Sequence, residues 1–138
     1  MIQRVQTIWL LFASACAFIT FKLSFYSGNK IVDGQKQFVH LTANENMLLT
    51  ILSVAVGIAA LILIFFYKDR KMQMRLILLD LVISLLNIYM YFNAIKNFVE
   101  GRIDWSSIFV FVIPIFLFLA VRGIYRDQKL VKSLDRLR

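Results

Sequence analysis

The sequence predicts an all-α fold: an integral membrane four-helix bundle with a short extracytoplasmic loop and a C-terminal amphipathic cytoplasmic helix. Three observations predict it. The 138 residues are 60% hydrophobic, with a mean hydropathy of +0.74, which is more apolar than a soluble domain of this size. The apolar residues gather in four blocks, each of about the 20 residues that cross a bilayer core about 30 Å thick. Charged residues are concentrated between the blocks and at the C-terminal end.

The four apolar blocks predict four membrane spans, over residues 5–26, 44–67, 72–96 and 105–126. Residues 1–126 are therefore expected to form the transmembrane bundle, and residues 127–138 a basic amphipathic tail. The first block contains a small-residue sequence, Ala-Ser-Ala at 13–15, that resembles a signal cleavage site. Because the apolar stretch before it is too short for a signal peptide and the block continues beyond it, we expect an uncleaved anchor.

The connections between the spans carry turn and capping signals. In the loop over residues 27–43, Asp33-Gly34 lies between two short stretches of strand-forming residues and predicts a small hairpin. The sequence Thr-Ala-Asn-Glu at 42–45 has the spacing of a capping box and predicts the start of the second span. Asp104 is expected to cap the fourth span.

Basic residues predict how the bundle is oriented. Four spans place both termini on one side, and eleven of the sixteen Lys and Arg residues lie on that side: Arg4, Lys68, Arg70, Lys71, Arg75, Arg122, Arg126, Lys129, Lys132, Arg136 and Arg138. Because cytoplasmic loops carry an excess of Lys and Arg, we expect a multi-pass membrane protein with cytoplasmic N- and C-termini. All of these residues except Arg75 and Arg122 are candidate contacts for a partner protein or for anionic lipid headgroups.

The tail over residues 127–138 is amphipathic. Leu130, Leu134 and Leu137 follow i, i+4, i+7 spacing and share one helical face, while basic residues occupy the rest. We expect a helix lying on the inner leaflet, held by apolar burial and by anionic lipid. The alternative is a docking helix for a partner protein or for ribosomal RNA. The tail has no recognisable nucleic-acid module, and DNA is not an expected partner.

Polar residues inside the predicted spans fall on single helical faces. On the third span one narrow face carries Gln73, Asp80, Ser84, Asn87 and Tyr91. On the second span Ser53, Gly57 and Ala60 share a face of small residues. Small residues let membrane helices approach closely, and polar ones form hydrogen bonds across the contact. The sequence therefore predicts a compact bundle with a polar interior.

Asp80 is the most unusual residue of this face, because charges inside a membrane are costly and usually functional. At a rise of 1.5 Å per residue, Asp80 and Arg122 lie about 8 Å and about 6 Å below the same boundary. We therefore expect an ion pair between them, with Gln3, Gln6 and Lys68 as alternative partners. No second buried acid is expected to continue a proton relay. The functional alternative is a titrating or ion-binding carboxylate whose path is lined by Ser84, Asn87 and Tyr91.

Several classes of function are excluded by counting residues. One cysteine and one histidine allow no intramolecular disulfide, no bis-histidine haem and no zinc site built from Cys and His. No cluster of His, Asp or Ser suggests a lipid-modifying enzyme. We therefore expect no cofactor, no metal and no enzymatic activity.

Three stretches carry a family resemblance: the opening MIQRVQTIWLLFA, the turn FFYKDRKMQMRL and the end AVRGIYRDQKLVKSLDRLR. They resemble a bacterial family of short four-span membrane proteins, the domain of unknown function 4293, over the whole chain. The resemblance implies an inner-membrane protein with four helices. It implies no activity and assigns no functional residues, but it singles out Arg4, the basic turn and the basic tail.

These observations favour an interaction protein, a non-enzymatic small subunit or assembly factor of a larger membrane complex. It would dock through its basic cytoplasmic face, and its partners would be other membrane proteins or further copies of itself. The alternative is a small oligomeric transporter or channel, coupled to ions or protons, that uses Asp80.

Overall fold

The computed structural model describes residues 3–138, and their side chains from Val5 onward. Within that part of the chain there are four α-helices, three strands and one 3₁₀ turn. In chain order they are α1 (Gln3–Ile19), β1 (Tyr26–Val32), β2 (Gln35–Leu41), α2 (Met47–Phe65), α3 (Arg70–Ile95), β3 (Glu100–Ile103), the 3₁₀ turn (Trp105–Ser107) and α4 (Ile108–Asp135). The four predicted helices are confirmed.

The helices form a ring in which neighbours in sequence are neighbours in space. α1 packs against α2 and α4, and α3 packs against the same two helices. The three strands lie at one end of the bundle, which we call the sheet end. The short connection between α2 and α3 lies at the opposite end, the turn end, where α1 begins and α4 finishes.

The prediction of an all-α fold is wrong in one respect, since the sheet end carries a three-stranded antiparallel sheet in the order β2-β1-β3. The hairpin predicted at Asp33-Gly34 is confirmed, and both residues have positive φ, of 52° and 79°. Two-residue hairpin turns need this left-handed backbone. β3 has no alternating pattern and all four of its residues are exposed, so its strand conformation comes from pairing with β1 across the bundle.

Two helix starts or ends differ from the prediction. α1 finishes at Ile19, where the Thr20 hydroxyl donates to the carbonyl of Ala17 at 2.6 Å. α2 starts at Met47, and no side chain caps it, so the predicted capping box is wrong. The segment before α2 is held by the sheet end instead: the N–H of Ala43 donates to the carbonyl of Thr20 at 3.3 Å.

α4 is one continuous helix of 28 residues, about 42 Å long at 1.5 Å per residue. It passes through Pro114 and continues beyond Arg126 without a break, so the predicted tail is the last part of α4 and not a separate helix. By length and composition, three segments are able to cross a membrane: Met47–Phe65, Arg70–Ile95 and Trp105–Asp135. α1 is apolar but shorter.

The bundle is polar along part of its interior and apolar outside. Large side chains such as Phe65, Leu79 and Phe118 are more than half exposed on the outer surface. The interior combines small apolar residues with buried Ser, Gln, Asn and Asp side chains. An apolar surface that surrounds the whole bundle is unlike that of a soluble monomer.

Candidate functional site

The polar face of α3 points into the bundle, as its helical spacing predicts. All five of its members are buried: Gln73, Asp80, Ser84, Asn87 and Tyr91. They lie along one side of a 26-residue helix, so the polar column runs from near the turn end to the sheet end. Tyr91 closes it there, with its ring stacked on Phe25 at a centroid distance of 4.5 Å.

Hydrogen bonds from this column tie α3 to α2. The Gln73 side-chain amide donates to the carbonyl of Leu63 at 2.8 Å, and the Asn87 amide donates to the Ser53 hydroxyl at 3.2 Å. The predicted close approach of small residues is confirmed at Gly57. There the Ser14 hydroxyl of α1 donates to the Gly57 carbonyl at 2.9 Å, and a Cβ at Gly57 would lie 3.1 Å from the ring of Phe18.

The predicted ion pair between Asp80 and Arg122 is wrong. Asp80 is 1% exposed and neither carboxylate oxygen has a hydrogen-bond partner among the described residues, while Arg122 is exposed. The reason lies in the helical phase of α4. Its buried positions are spaced three or four residues apart, at Val110, Ile113, Leu117, Ala120, Ile124 and Asp127. Arg122 falls between two of them and faces outward.

Neither Lys68 nor Gln6, the two alternative partners whose side chains are described, reaches Asp80. Lys68 is exposed at the turn end, the side chain of Gln3 lies outside the described residues, and Gln6 donates instead to Asp127. Asp127 is itself 6% exposed, so the prediction that no second acid is buried is also wrong. The spacing of three or four residues between the buried positions of α4 continues to Asp127. The sequence prediction missed this because it ended the fourth span at Arg126 and treated residues 127–138 as a separate tail.

The column leaves several polar atoms without a partner. Besides both oxygens of Asp80, the Asn87 Oδ1 atom forms no hydrogen bond to a described residue. An unpaired carboxylate in an apolar interior costs several kcal/mol when ionised. Such a group therefore either keeps its proton or binds water or a cation. The unpaired oxygen atoms of the column are acceptors for that water or cation.

A second candidate site is a cavity of about 550 Å³ at the turn end, which we call the basic cleft. One wall is the α2–α3 connection with the first turn of α3, and the other is α4. Its lining residues are Lys68, Asp69, Arg70, Lys71, Tyr125, Gln128, Lys129 and Lys132. The cleft thus unites five of the predicted contact residues, which the sequence places more than fifty residues apart.

The other predicted contact residues with described side chains lie outside the cleft. Arg126, Arg136 and Arg138 are exposed on α4 and on the residues that follow it. The side chain of Arg4 lies outside the described residues. The one ion pair found among residues 5–138 joins Lys36 and Glu100 at the sheet end, at 3.8 Å. The basic residues of the cleft therefore form no ion pair with a carboxylate of residues 5–138.

A third polar cluster at the sheet end was missed by the sequence prediction. Asp104 precedes the 3₁₀ turn, as expected, but its side chain makes no capping bond and accepts hydrogen bonds from the hydroxyls of Ser24 and Ser27. Ser27 also contacts His40 Nδ1, at 2.7 Å. Partial burial acts to raise the pKa of Asp104, but the two hydroxyls and the nearby His40 and Arg102 outweigh it and lower that pKa below its usual value.

This cluster has the residue types of a hydrolase triad but not the arrangement. In a triad, histidine lies between serine and the carboxylate. Here Ser27 lies between His40 and Asp104, and its hydroxyl donates to the carboxylate. The cluster therefore fastens β1 to the start of the fourth helical segment. Within the part of the chain described, no three His, Cys, Asp or Glu side chains converge as metal ligands.

Comparison with known proteins gives one match. No curated protein and no solved structure matches the sequence significantly. The sequence model of the family described as Domain of unknown function (DUF4293) matches residues 2–137. That range includes the opening, the basic turn and most of the basic end, the three stretches that carry the resemblance. Since the match covers nearly the whole sequence, the chain belongs to the DUF4293 family.

Proposed function

We propose that this protein is a multi-pass protein of the bacterial inner membrane, with four spans. Three helical segments have the length and apolar character of membrane spans, and the outer surface of the bundle is apolar. α1 has 17 residues and is about 26 Å long. Although this is slightly short for a hydrocarbon core of about 30 Å, local thinning of the bilayer accommodates such a difference at modest cost.

The distribution of charge supports an orientation with both termini in the cytoplasm. The turn end carries the basic cleft and the basic last part of α4, whereas the sheet end carries few cations and pairs one of them, Lys36, with Glu100. Segments rich in Lys and Arg stay on the cytoplasmic side. The sheet would then lie outside the cytoplasm. A cysteine introduced at Asn29 or at Ser133 and labelled from one side of the membrane tests this orientation.

Within that membrane, the proposed role is that of a non-enzymatic small subunit or assembly factor that docks a partner protein at its cytoplasmic face. One observation carries it: α4 runs unbroken to Asp135 and exposes Leu130 and Leu134, and Leu137 directly after the helix is exposed as well. A helix that crosses the membrane and continues without a break cannot turn to lie flat on the leaflet at residue 127, because sharp bends need a local interruption. The exposed leucines therefore favour the docking alternative over the lipid-surface helix.

The test is a pull-down of the tagged full chain in a mild detergent, with cross-linking and mass spectrometry. The test variant is Leu130→Ser with Leu134→Ser, which removes apolar side chains from the leucine face. The control is Val131→Ser, which removes one equally exposed apolar side chain (45% for Leu130 and for Val131) from another face of the same helix. These changes keep Asp127, whose buried carboxylate a larger deletion would remove.

A stoichiometric partner that is lost with the leucine variant and kept with the control supports the proposal. A chain that purifies without a partner contradicts it. So does a partner that both variants retain, because that partner would bind elsewhere.

A second candidate function has its own observation. Asp80 is a buried carboxylate without a described partner, in a column that also leaves the Asn87 Oδ1 atom unpaired. This favours a small oligomeric transporter or channel coupled to protons or ions. Proteoliposomes loaded with a pH-sensitive dye test it. Transport by the native chain that Asp80→Asn abolishes, with the helix content unchanged, supports this candidate. Vesicles that remain as tight as protein-free ones contradict it.

A further inference from the structure

We infer that the basic cleft is a binding site for the phosphate group of an anionic phospholipid headgroup. The inference deepens the proposed function. It rests on that proposal for one point only, the side of the membrane that the cleft faces. It unites in one site residues that the sequence presents as two separate basic stretches, and it selects anionic lipid from the two kinds of contact expected for them.

The first argument is the unbalanced charge of the cleft. Among the described residues, five cationic side chains line it, from Lys68, Arg70, Lys71, Lys129 and Lys132, against one carboxylate, that of Asp69. This carboxylate is already engaged, because its Oδ1 accepts the N–H of Met72 at 3.2 Å and caps α3. Like charges gathered around one cavity repel each other. A phosphate group relieves that repulsion, and it is the anion that Lys and Arg bind best.

The second argument is the shape and the donor set of the cleft. Its cations come from two walls that face each other: Lys68, Arg70 and Lys71 from the α2–α3 connection and the first turn of α3, and two lysines from α4. Gln128 adds a neutral donor, since its Nε2 atom is buried and has no acceptor. The volume of about 550 Å³ lies within the range of about 300–1,000 Å³ that small-molecule sites occupy.

The third argument concerns the source of the phosphate. Phe65, Phe66 and Tyr67 come directly before Lys68 and are 77%, 37% and 53% exposed. The apolar outer surface of α2 therefore leads directly to the rim of the cleft. A phospholipid whose acyl chains lie along this surface would bring its phosphate to the cations. Basic pockets beside transmembrane helices on the cytoplasmic side bind anionic headgroups in this way.

The experiment titrates the purified full chain with phosphatidylglycerol in mixed detergent micelles and follows bound lipid by native mass spectrometry. Phosphatidylcholine and inorganic phosphate serve as the other probes. The test variant is Lys71→Gln with Lys129→Gln, which removes one cation from each wall of the cleft. The matched control is Arg136→Gln with Arg138→Gln, which removes the same charge from exposed residues outside the cleft.

We expect phosphatidylglycerol to bind the test variant at least about tenfold more weakly than the native chain, because two charge-assisted contacts are lost. The control should change by less than about twofold, since exposed charges contribute little. Both variants should unfold at the native temperature without added lipid. If the test variant does not, Lys68→Gln with Lys132→Gln replaces it, which again changes one residue on each wall.

Equal losses in the test variant and the control would overturn the inference, because they would indicate diffuse attraction and not a site. A test variant that binds like the native chain would also overturn it. Competition by inorganic phosphate at the same concentration as the lipid would overturn the lipid source. The readout uses the purified chain alone, so a failed partner pull-down leaves the inference standing, and a failed lipid titration leaves the docking proposal standing.

Discussion

Gln6 and Asp127 join the two ends of the described chain at the turn end of the bundle. The Gln6 side-chain amide donates a hydrogen bond to Oδ2 of Asp127 across a sequence separation of 121 residues, and both side chains are buried. α1 and α4 also approach closely one turn away, where a Cβ at Gly123 would lie 3.1 Å from Cγ of Gln6. The bond therefore fixes the helix that carries one wall of the basic cleft.

The first prediction concerns this bond. Gln6→Ala should lower the free energy of unfolding by about 1.5–3 kcal/mol, the usual value for a hydrogen bond to a charged group. Asp127→Ala and the double variant complete a cycle whose coupling energy should exceed about 0.5 kcal/mol. Thermal or denaturant unfolding in detergent measures it. Arg126→Ala is the control, because Arg126 is exposed beside Asp127. Additive effects of the two single variants would contradict the bond.

The second prediction follows from the unpaired state of Asp80. Arg122→Ala should change the free energy of unfolding by no more than about 0.5 kcal/mol, as for other exposed residues. If Arg122 formed an ion pair with Asp80, Arg122→Ala would instead lower the free energy of unfolding by about 3–5 kcal/mol. Asp80→Asn keeps the shape of the side chain and should be neutral or stabilising. A strongly destabilised Arg122→Ala variant would show that the pair exists after all.

The third prediction concerns the contact between β1 and β3, in which Gly28 lies opposite Gly101. A Cβ at Gly101 would lie 2.6 Å from the carbonyl oxygen of Ser27, so Gly101→Ala should separate the strands at a cost of about 1–3 kcal/mol, typical of overpacking. Faster hydrogen exchange of the Val99 and Asp104 amides, which donate to β1 and to the residue before it, would report the separation.

Gly34→Asn is the control for this change. Gly34 has a positive φ, but no atom lies within 4 Å of a Cβ placed there, and asparagine tolerates that backbone conformation. In the Gly34→Asn variant, the Val99 and Asp104 amides should exchange hydrogen at the same rate as in the native chain. Unchanged exchange in Gly101→Ala would contradict the close approach of the two strands.

The fourth prediction is a pH dependence at the sheet end. The pKa of Asp104 is lowered in the folded protein, so the ionised carboxylate stabilises the fold above the unfolded pKa of about 3.9. That stabilisation should disappear as the pH falls through the lower, folded pKa. The native chain should therefore be more stable than Asp104→Asn at pH 7 and equal to it at about pH 2. A stability difference that is constant from pH 7 to pH 2 would contradict this account.

The variant His40→Gln tests whether the pH dependence of stability belongs to Asp104. Because His40 contacts Ser27 and not Asp104 directly, the acid loss assigned to Asp104 should persist in this variant. Its disappearance would assign the pH dependence to His40.

The sequence by itself determined four helices, the hairpin at Asp33-Gly34, the buried face of α3 and the close contact at Gly57. These features depend on local rules: apolar block length, turn chemistry, and the 3.6-residue period that places spaced residues on one face. The family membership likewise rests on the sequence alone.

The tertiary structure decided what depends on helical phase and on distant pairing. In the tertiary structure Arg122 faces outward, and Asp127 accepts a hydrogen bond from Gln6. Asp80 has no described partner, and β3 is a strand because it pairs with β1. Matching depth along two helices does not fix which way each side chain points, since neighbouring positions differ by about 100° around the axis. The basic cleft arises for the same reason, because only packing brings the α2–α3 connection against the last turns of α4.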